Sequence, residues 1–170
     1  MDGVYVEENG IYQIDLRAAL WSKGYLHTVY ECIGNILSDV DFIAETDNTI
    51  LLIEYKNTDI ENTQNPEALD EKVSNGKLYD RIVNKYYGSV FYLMACARQK
   101  PIHYIFILES RLFMESKQRK KAEYSIIKRL PFELQKIPEV SRSLINDFRI
   151  LSISEWNKEY PMFPLQPVCM

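Results

Sequence analysis

The stretch Asp39-Val-Asp-Phe-Ile-Ala-Glu-Thr-Asp-Asn-Thr-Ile-Leu-Leu-Ile-Glu-Tyr-Lys56 decides how this sequence is read. Two apolar runs, Val40 to Ala44 and Ile50 to Tyr55, read as strands on either side of a polar connection. Asp47-Asn48 suits a two-residue turn, because both residue types tolerate positive φ. Thr46 then pairs with Thr49, which sets Asp41 opposite Glu54 and Asp39 opposite Lys56. Directly opposed residues share a sheet face, with Cβ atoms roughly 5 Å apart. Period-2 alternation keeps Lys56 on the face of Glu54. Ionisable groups therefore converge at the strand ends away from the turn, a register that a three-residue loop would break.

Two opposed carboxylates in a mainly apolar hairpin are unfavourable unless something neutralises them. A divalent cation does so, and two carboxylates with positions left for water and phosphate oxygens suit Mg²⁺ or Mn²⁺. Lys56 beside them is placed to orient an attacking water and to stabilise charge developing on a phosphate. These are the parts that metal-assisted phosphodiester hydrolysis requires.

The pattern resembles the PD-(D/E)XK nuclease superfamily, in which an acid at the start of one strand is followed by Glu/Asp-x-Lys on the next. Asp41 matches the first acid and Glu54-Tyr55-Lys56 the second element, although Asp41 follows Val40 rather than proline. The run Asp41-Phe-Ile-Ala followed by Ile-Leu-Leu-Ile-Glu54-Tyr-Lys56 looks most like the archaeal Holliday-junction resolvases and the restriction-endonuclease-like group around them. The resemblance implies an α/β (α+β) fold of three layers, a mixed central sheet flanked by helices. It implies a Mg²⁺- or Mn²⁺-dependent endonuclease acting on DNA. Asp41, Glu54 and the backbone carbonyl of Tyr55 would hold the metal, and Lys56 would serve the attacking water. Many members add a glutamate from the helix before the sheet, a place that Glu31 fills, and dimerisation is common among them. The alternative is a non-catalytic module of the same fold that binds nucleic acid or a protein partner.

Acid-x-Lys occurs three times in the chain: Glu54-Tyr-Lys56, Asp70-Glu-Lys72 and Glu115-Ser-Lys117. Only the first ends an apolar strand with an acid across a hairpin; the others sit in polar, helix-like surroundings. Lys77, Arg81 and Lys85 recur at i, i+4 and i+8, along one helix face. They read either as a solvated face or as a track of nucleic-acid-binding cations beside the site. Tyr86 falls at a core position of the same helix, whereas Tyr87 and Tyr92 are open to packing or to base stacking. Nothing brings Cys32 or Cys96 to His27 or His103 for nucleophilic catalysis.

Outward from this centre, residues 3–14 read as a hairpin around Asn9-Gly10. Asp15 then caps a helix containing Leu16, Ala19 and Leu20. Leu26, Val29, Tyr30, Ile33 and Leu37 recur at helical spacing, although 25–33 is also compatible with a strand. Residues 57–65 read as a loop ending in Asn65-Pro66, a helix start. Leu78 to Met94 forms an amphipathic helix, Ile102 to Leu108 a buried strand, and 114–129 a basic helix. Phe148 to Ile153 is a strand, Ser154 caps a short helix, and the tail 161–170 reads as irregular. No linker or repeat divides residues 1–170, so one domain is expected.

The 170 residues are 46% hydrophobic and 12% aromatic, enough for a core, which argues against a disordered chain. Net charge is −4, against a generic basic nucleic-acid binder. Its placement matters more. Residues 39–71 hold ten acids and one base, whereas 72–100 and 111–129 each carry a net +5. An acidic, cation-binding centre followed by phosphate-contacting surfaces has this charge order. Three scattered cysteines exclude a zinc ribbon and suit a reducing compartment. No signal peptide or membrane-spanning run is evident, so a cytoplasmic protein is expected.

Overall fold

In the computed structural model, residues 3–58, 76–113 and 116–168 are described. The loop and helix start expected at 57–65 fall largely outside them, as do Asp70-Glu-Lys72, Glu115 and Cys169.

The chain opens with β1 (Val4–Val6) and β2 (Tyr12–Asp15), an antiparallel pair. The expected hairpin forms, and Glu7 shapes its turn. The buried Glu7 carboxylate accepts from the backbone N–H groups of Asn9, Ile11 and Tyr12. Next come β3 (Trp21–Gly24), the one-turn α1 (His27–Tyr30), β4 (Phe42–Glu45) and β5 (Ile50–Asn57). The 19-residue α2 (Lys77–Ala95) leads to β6 (Ile102–Glu109), α3 (Ser116–Ile127), β7 (Asp147–Leu151), α4 (Ile153–Glu159) and β8 (Leu165–Pro167).

Five strands form a mixed sheet in the order β3-β4-β5-β6-β7. The β3/β4 and β4/β5 pairs are antiparallel, and β5/β6 and β6/β7 are parallel. Parallel strands need long crossovers, and α2 and α3 lie in those connections. Central β5 is flanked on both sides, so Ile50 to Tyr55 is buried throughout, as a near-continuous apolar run requires. Ile50 and Leu52 face α2 and α3 in a core with Tyr86, Tyr104 and Ile126. Leu51, Ile53 and Tyr55 face the other way, against Trp156, Phe163 and Leu165. The second face is covered by α4 and by a smaller sheet ordered β1-β2-β8. The architecture is thus mixed α/β, with packed layers on both faces of the five-stranded sheet.

Four local expectations are corrected. The helix expected after Asp15 is a turn followed by strand β3, which pairs along β4 from Trp21↔Glu45 to Gly24↔Phe42. The Asp15 carboxylate binds the backbone N–H and guanidinium of Arg17 instead of capping a helix. The helix expected over Leu26 to Leu37 shrinks to α1 and a 3-10 turn, Glu31–Ile33. Gly34 and Asn35 follow at φ of 70° and 52°, left-handed values that end the helix. The last helix is capped by Ser152, not Ser154, through a reciprocal capping box with Glu155. Finally, the tail is not wholly irregular, because Leu165–Pro167 pairs with β2.

The entry to β4 is fixed by α2. Ser89 Oγ, fully buried, accepts from Val40 N–H at 2.9 Å. At Gly88 a Cβ would lie 1.8 Å from the carbonyl oxygen of Ser38, so only glycine allows this approach. Tyr30 Oη donates to the Gly88 carbonyl at 2.5 Å, closing the same contact from the other side. Gly88→Ala is therefore expected to destabilise the protein by about 3 kcal/mol or more. Thermal unfolding should read this as a fall in Tm on the order of 10 °C.

Candidate cation and phosphate site

The β4/β5 ladder runs from Glu45↔Ile50 to Phe42↔Ile53, with Thr46 N–H donating to the Thr49 carbonyl across the turn. Continued by one pair, this is the two-residue-turn register, with Asp41 opposite Glu54. The Asp41 side chain reaches across the hairpin, where its Oδ2 accepts from Tyr55 N–H at 2.8 Å. The Tyr55 peptide thus lies beside the Asp41 carboxylate. Its ring points to the opposite sheet face, with its centroid 5.8 Å from that of Tyr12. Asp39 does not continue the ladder. Its carboxylate accepts from His27 N–H at 2.9 Å.

A cation already stands between the two acids. Lys85 Nζ is 2.7 Å from Glu54 Oε1 and 3.3 Å from Asp41 Oδ1. Lys85, Gly88 and Ser89 lie at i, i+3 and i+4 on α2, so the face that clamps the entry to β4 also delivers this ammonium. The sequence placed Lys85 on a track with Lys77 and Arg81. All three line the same cavity, but Lys85 is drawn inward, with 14% of its side chain exposed, whereas Lys77 and Arg81 are exposed.

Burial, and then the charge of Asp41, push Glu54 up to about 8, with Lys85 opposing. Burial works against the ammonium of Lys85, but attraction from Glu54 and Asp41 outweighs it and holds Lys85 above the ordinary lysine range. Beyond burial, which acts oppositely on the two groups, both shifts reflect the crowding of two acids around one base, which favours the protonated forms. Asp39 is also raised, by burial first, with the hydrogen bond from His27 opposing.

Glu54 binds its proton more tightly folded than unfolded, so its contribution to stability is complete below its ordinary value of 4.5. That contribution falls as pH rises towards about 8 and is flat above it. Melting curves of metal-free wild type and Glu54→Gln between about pH 5 and pH 8.5 should diverge, with wild type losing several degrees relative to the variant.

The acids open into a cleft with two connected lobes that share Glu7, Glu8, Asp41, Arg81 and Lys85. The smaller, about 220 Å³, adds Glu54, Lys56 and Lys77. The larger, about 670 Å³, adds Tyr25, His27 and Asp39. Lys56 lines the same lobe as Glu54, together with the intervening Tyr55. Glu31 lines neither lobe; it is exposed in the 3-10 turn after α1. Tyr86 is core, as its spacing indicated, while the exposed Tyr87 donates to the Arg129 carbonyl. In the basic 117–121 run, Arg119 is paired with Glu155 at 2.5 Å.

The donor set is suited to a hard cation. The carboxylates of Asp41, just before β4, and of Glu54 on β5 both approach the one ammonium of Lys85. Among the described residues no group of three or more His, Cys, Asp or Glu side chains is arranged around one metal position. A cation at Asp41 and Glu54 would therefore complete its shell with backbone, water or substrate oxygens. No helix of the described residues is long and apolar enough to cross a membrane. Comparison with family models, with curated proteins and with solved structures finds no match to this chain.

Proposed function

We propose that this chain is a Mg²⁺- or Mn²⁺-dependent nuclease that hydrolyses phosphodiester bonds in DNA, built on a restriction-endonuclease-like core. The observation that carries this reading is the Asp41/Glu54 pair, opposed across β4 and β5, sharing one buried cation position and opening onto Lys56, Lys77 and Arg81. The order of elements agrees with it, since an antiparallel β4–β5 hairpin is followed by helix α2 and parallel β6.

When bound, the divalent ion supplies an activated water and neutralises charge on the phosphate. Asp41 and Glu54 hold it, and the N–H of Tyr55 fixes the Asp41 carboxylate for that task. Lys56 orients the attacking water and stabilises the negative charge that builds on the phosphoryl oxygens. Lys77 and Arg81, on the exposed face of α2, hold flanking phosphates and set the register of the strand. The exposed free thiols of Cys32 and Cys96 fit a reducing, cytoplasmic setting.

One observation favours a second reading. Lys85 bridges the acids by itself, as it would in a non-catalytic member of the same fold that binds nucleic acid or a protein partner. Cleavage separates the two. Wild type should nick plasmid or cut branched or single-stranded DNA in Mg²⁺ or Mn²⁺ but not in EDTA, and Lys56→Ala should be at least about tenfold slower. No cleavage of any of these substrates, or a Lys56→Ala protein as fast as wild type, would sink the catalytic reading.

A further inference from the structure

The two lobes of the cleft differ in charge and in lining. The smaller combines Lys56, Lys77, Arg81 and Lys85 with an equal number of acids. The larger holds Glu7, Glu8, Asp39 and Asp41 against Arg81 and Lys85 only. The first is balanced in charge and the second has an excess of acids, so a phosphate chain is disfavoured in the second. What the larger lobe offers instead is a ring surface and room for one. Its volume of about 670 Å³ exceeds that of a nucleoside, and Leu37 and Phe42 add apolar lining.

Tyr25 forms part of the wall, and its ring is held from three sides. Its Oη both accepts from Val6 N–H and donates to the Val6 carbonyl, each at 3.0 Å. The ring meets Tyr5 edge-on with centroids 5.8 Å apart, and His27 edge-on at 6.2 Å. The backbone of Tyr25 sits at φ of 54°, a left-handed conformation that costs a bulky residue energy. Despite this anchoring the side chain is not buried, with 43% of the residue exposed. A strained, doubly hydrogen-bonded and half-exposed aromatic ring on a cavity wall is a fixed stacking platform.

We propose that the larger lobe receives an unpaired nucleobase stacked on Tyr25 and met edge-on by His27, with its phosphate at the junction beside Arg81 and Lys85. This deepens the nuclease reading and rests on it, since it names the substrate class as single-stranded DNA or a single-stranded end. A base inside a duplex is stacked and paired, and cannot enter the lobe without being flipped out.

Binding of a labelled single-stranded oligonucleotide and of its blunt duplex, by fluorescence anisotropy with Ca²⁺ in place of Mg²⁺, tests this. The single strand should bind at least about tenfold more tightly than the duplex. Tyr25→Asn, which keeps a residue tolerant of the left-handed backbone, and His27→Ala, at a side chain 59% exposed, should each weaken single-strand binding about fivefold or more. Duplex binding should not change. Duplex preference, or single-strand affinity untouched by His27→Ala and by Tyr25→Asn, overturns the base-pocket assignment while leaving the nuclease reading standing. Failure of both oligonucleotides to bind overturns the nucleic-acid reading itself, and this inference with it.

Discussion

Glu54→Gln is expected to lower metal-dependent DNA cleavage by at least about 10²–10³-fold while leaving the fold intact. Glutamine keeps the shape of the side chain and can still accept from Lys85. It carries no charge, so Asp41 alone faces the cation and the anionic pair that fits a divalent ion is gone. In a buried site with 7% of the Glu54 side chain exposed, the loss is not screened by solvent. The same substitution removes the charge whose burial raises Glu54 to about 8, so the metal-free variant should melt above wild type in mildly alkaline buffer. A variant that is more stable and nearly inactive separates catalysis from folding. Cleavage rates on single-stranded DNA in Mn²⁺, read beside the melting curves, check both halves. Retained cleavage would remove Glu54 from the chemistry.

Lys85→Met should produce the largest change in stability. Removing one partner of a buried ion pair leaves its counter-charge uncompensated, at a cost of about 3–5 kcal/mol. Here the counter-charge is a pair of acids, Asp41 and Glu54, within 3.3 Å and 2.7 Å of the ammonium. Methionine keeps the length and apolar body of the lysine stem, so the loss reports charge rather than a cavity. The deficit should be greatest in alkaline buffer and smaller near pH 5, where Glu54 holds its proton. Mn²⁺ should restore much of the lost stability, because an ion that binds only the folded state stabilises it by mass action. Denaturant titrations with Mn²⁺ or with EDTA measure both effects. A stable Lys85→Met protein indifferent to pH and Mn²⁺ would mean that the three groups do not act as one electrostatic unit.

The hairpin that carries the acids was legible because its determinants are local. Asp47-Asn48 at the turn and two apolar runs of matched length fix the register, and that register alone faces Asp41 towards Glu54. The parallel strands β5 and β6 were legible for a related reason, since burial on both faces leaves a continuous apolar run. The region between the first hairpin and β4 was not. Trp21-Ser-Lys-Gly24 has no strand alternation and becomes a strand because β4 offers an open edge, a tertiary cause. Leu26 to Leu37 has helical spacing, but Gly34-Asn35 ends the helix early. The role of Lys85 was hidden by its own periodicity. The i, i+4, i+8 spacing identifies a face of α2, not what packs on it, and that depends on Gly88 and Ser89 meeting Ser38 and Val40. Glycine in the middle of a helix costs about 1 kcal/mol, so Gly88 was itself a signal of close backbone approach.

Calorimetric titration of Mn²⁺ into wild type and Asp41→Asn tests most directly whether Asp41 and Glu54 form a divalent-cation site. Saturable binding of one Mn²⁺ per wild-type chain, weakened at least about tenfold in Asp41→Asn, is the predicted result. Absence of Mn²⁺ binding by wild type, or equal affinity in the variant, would contradict it.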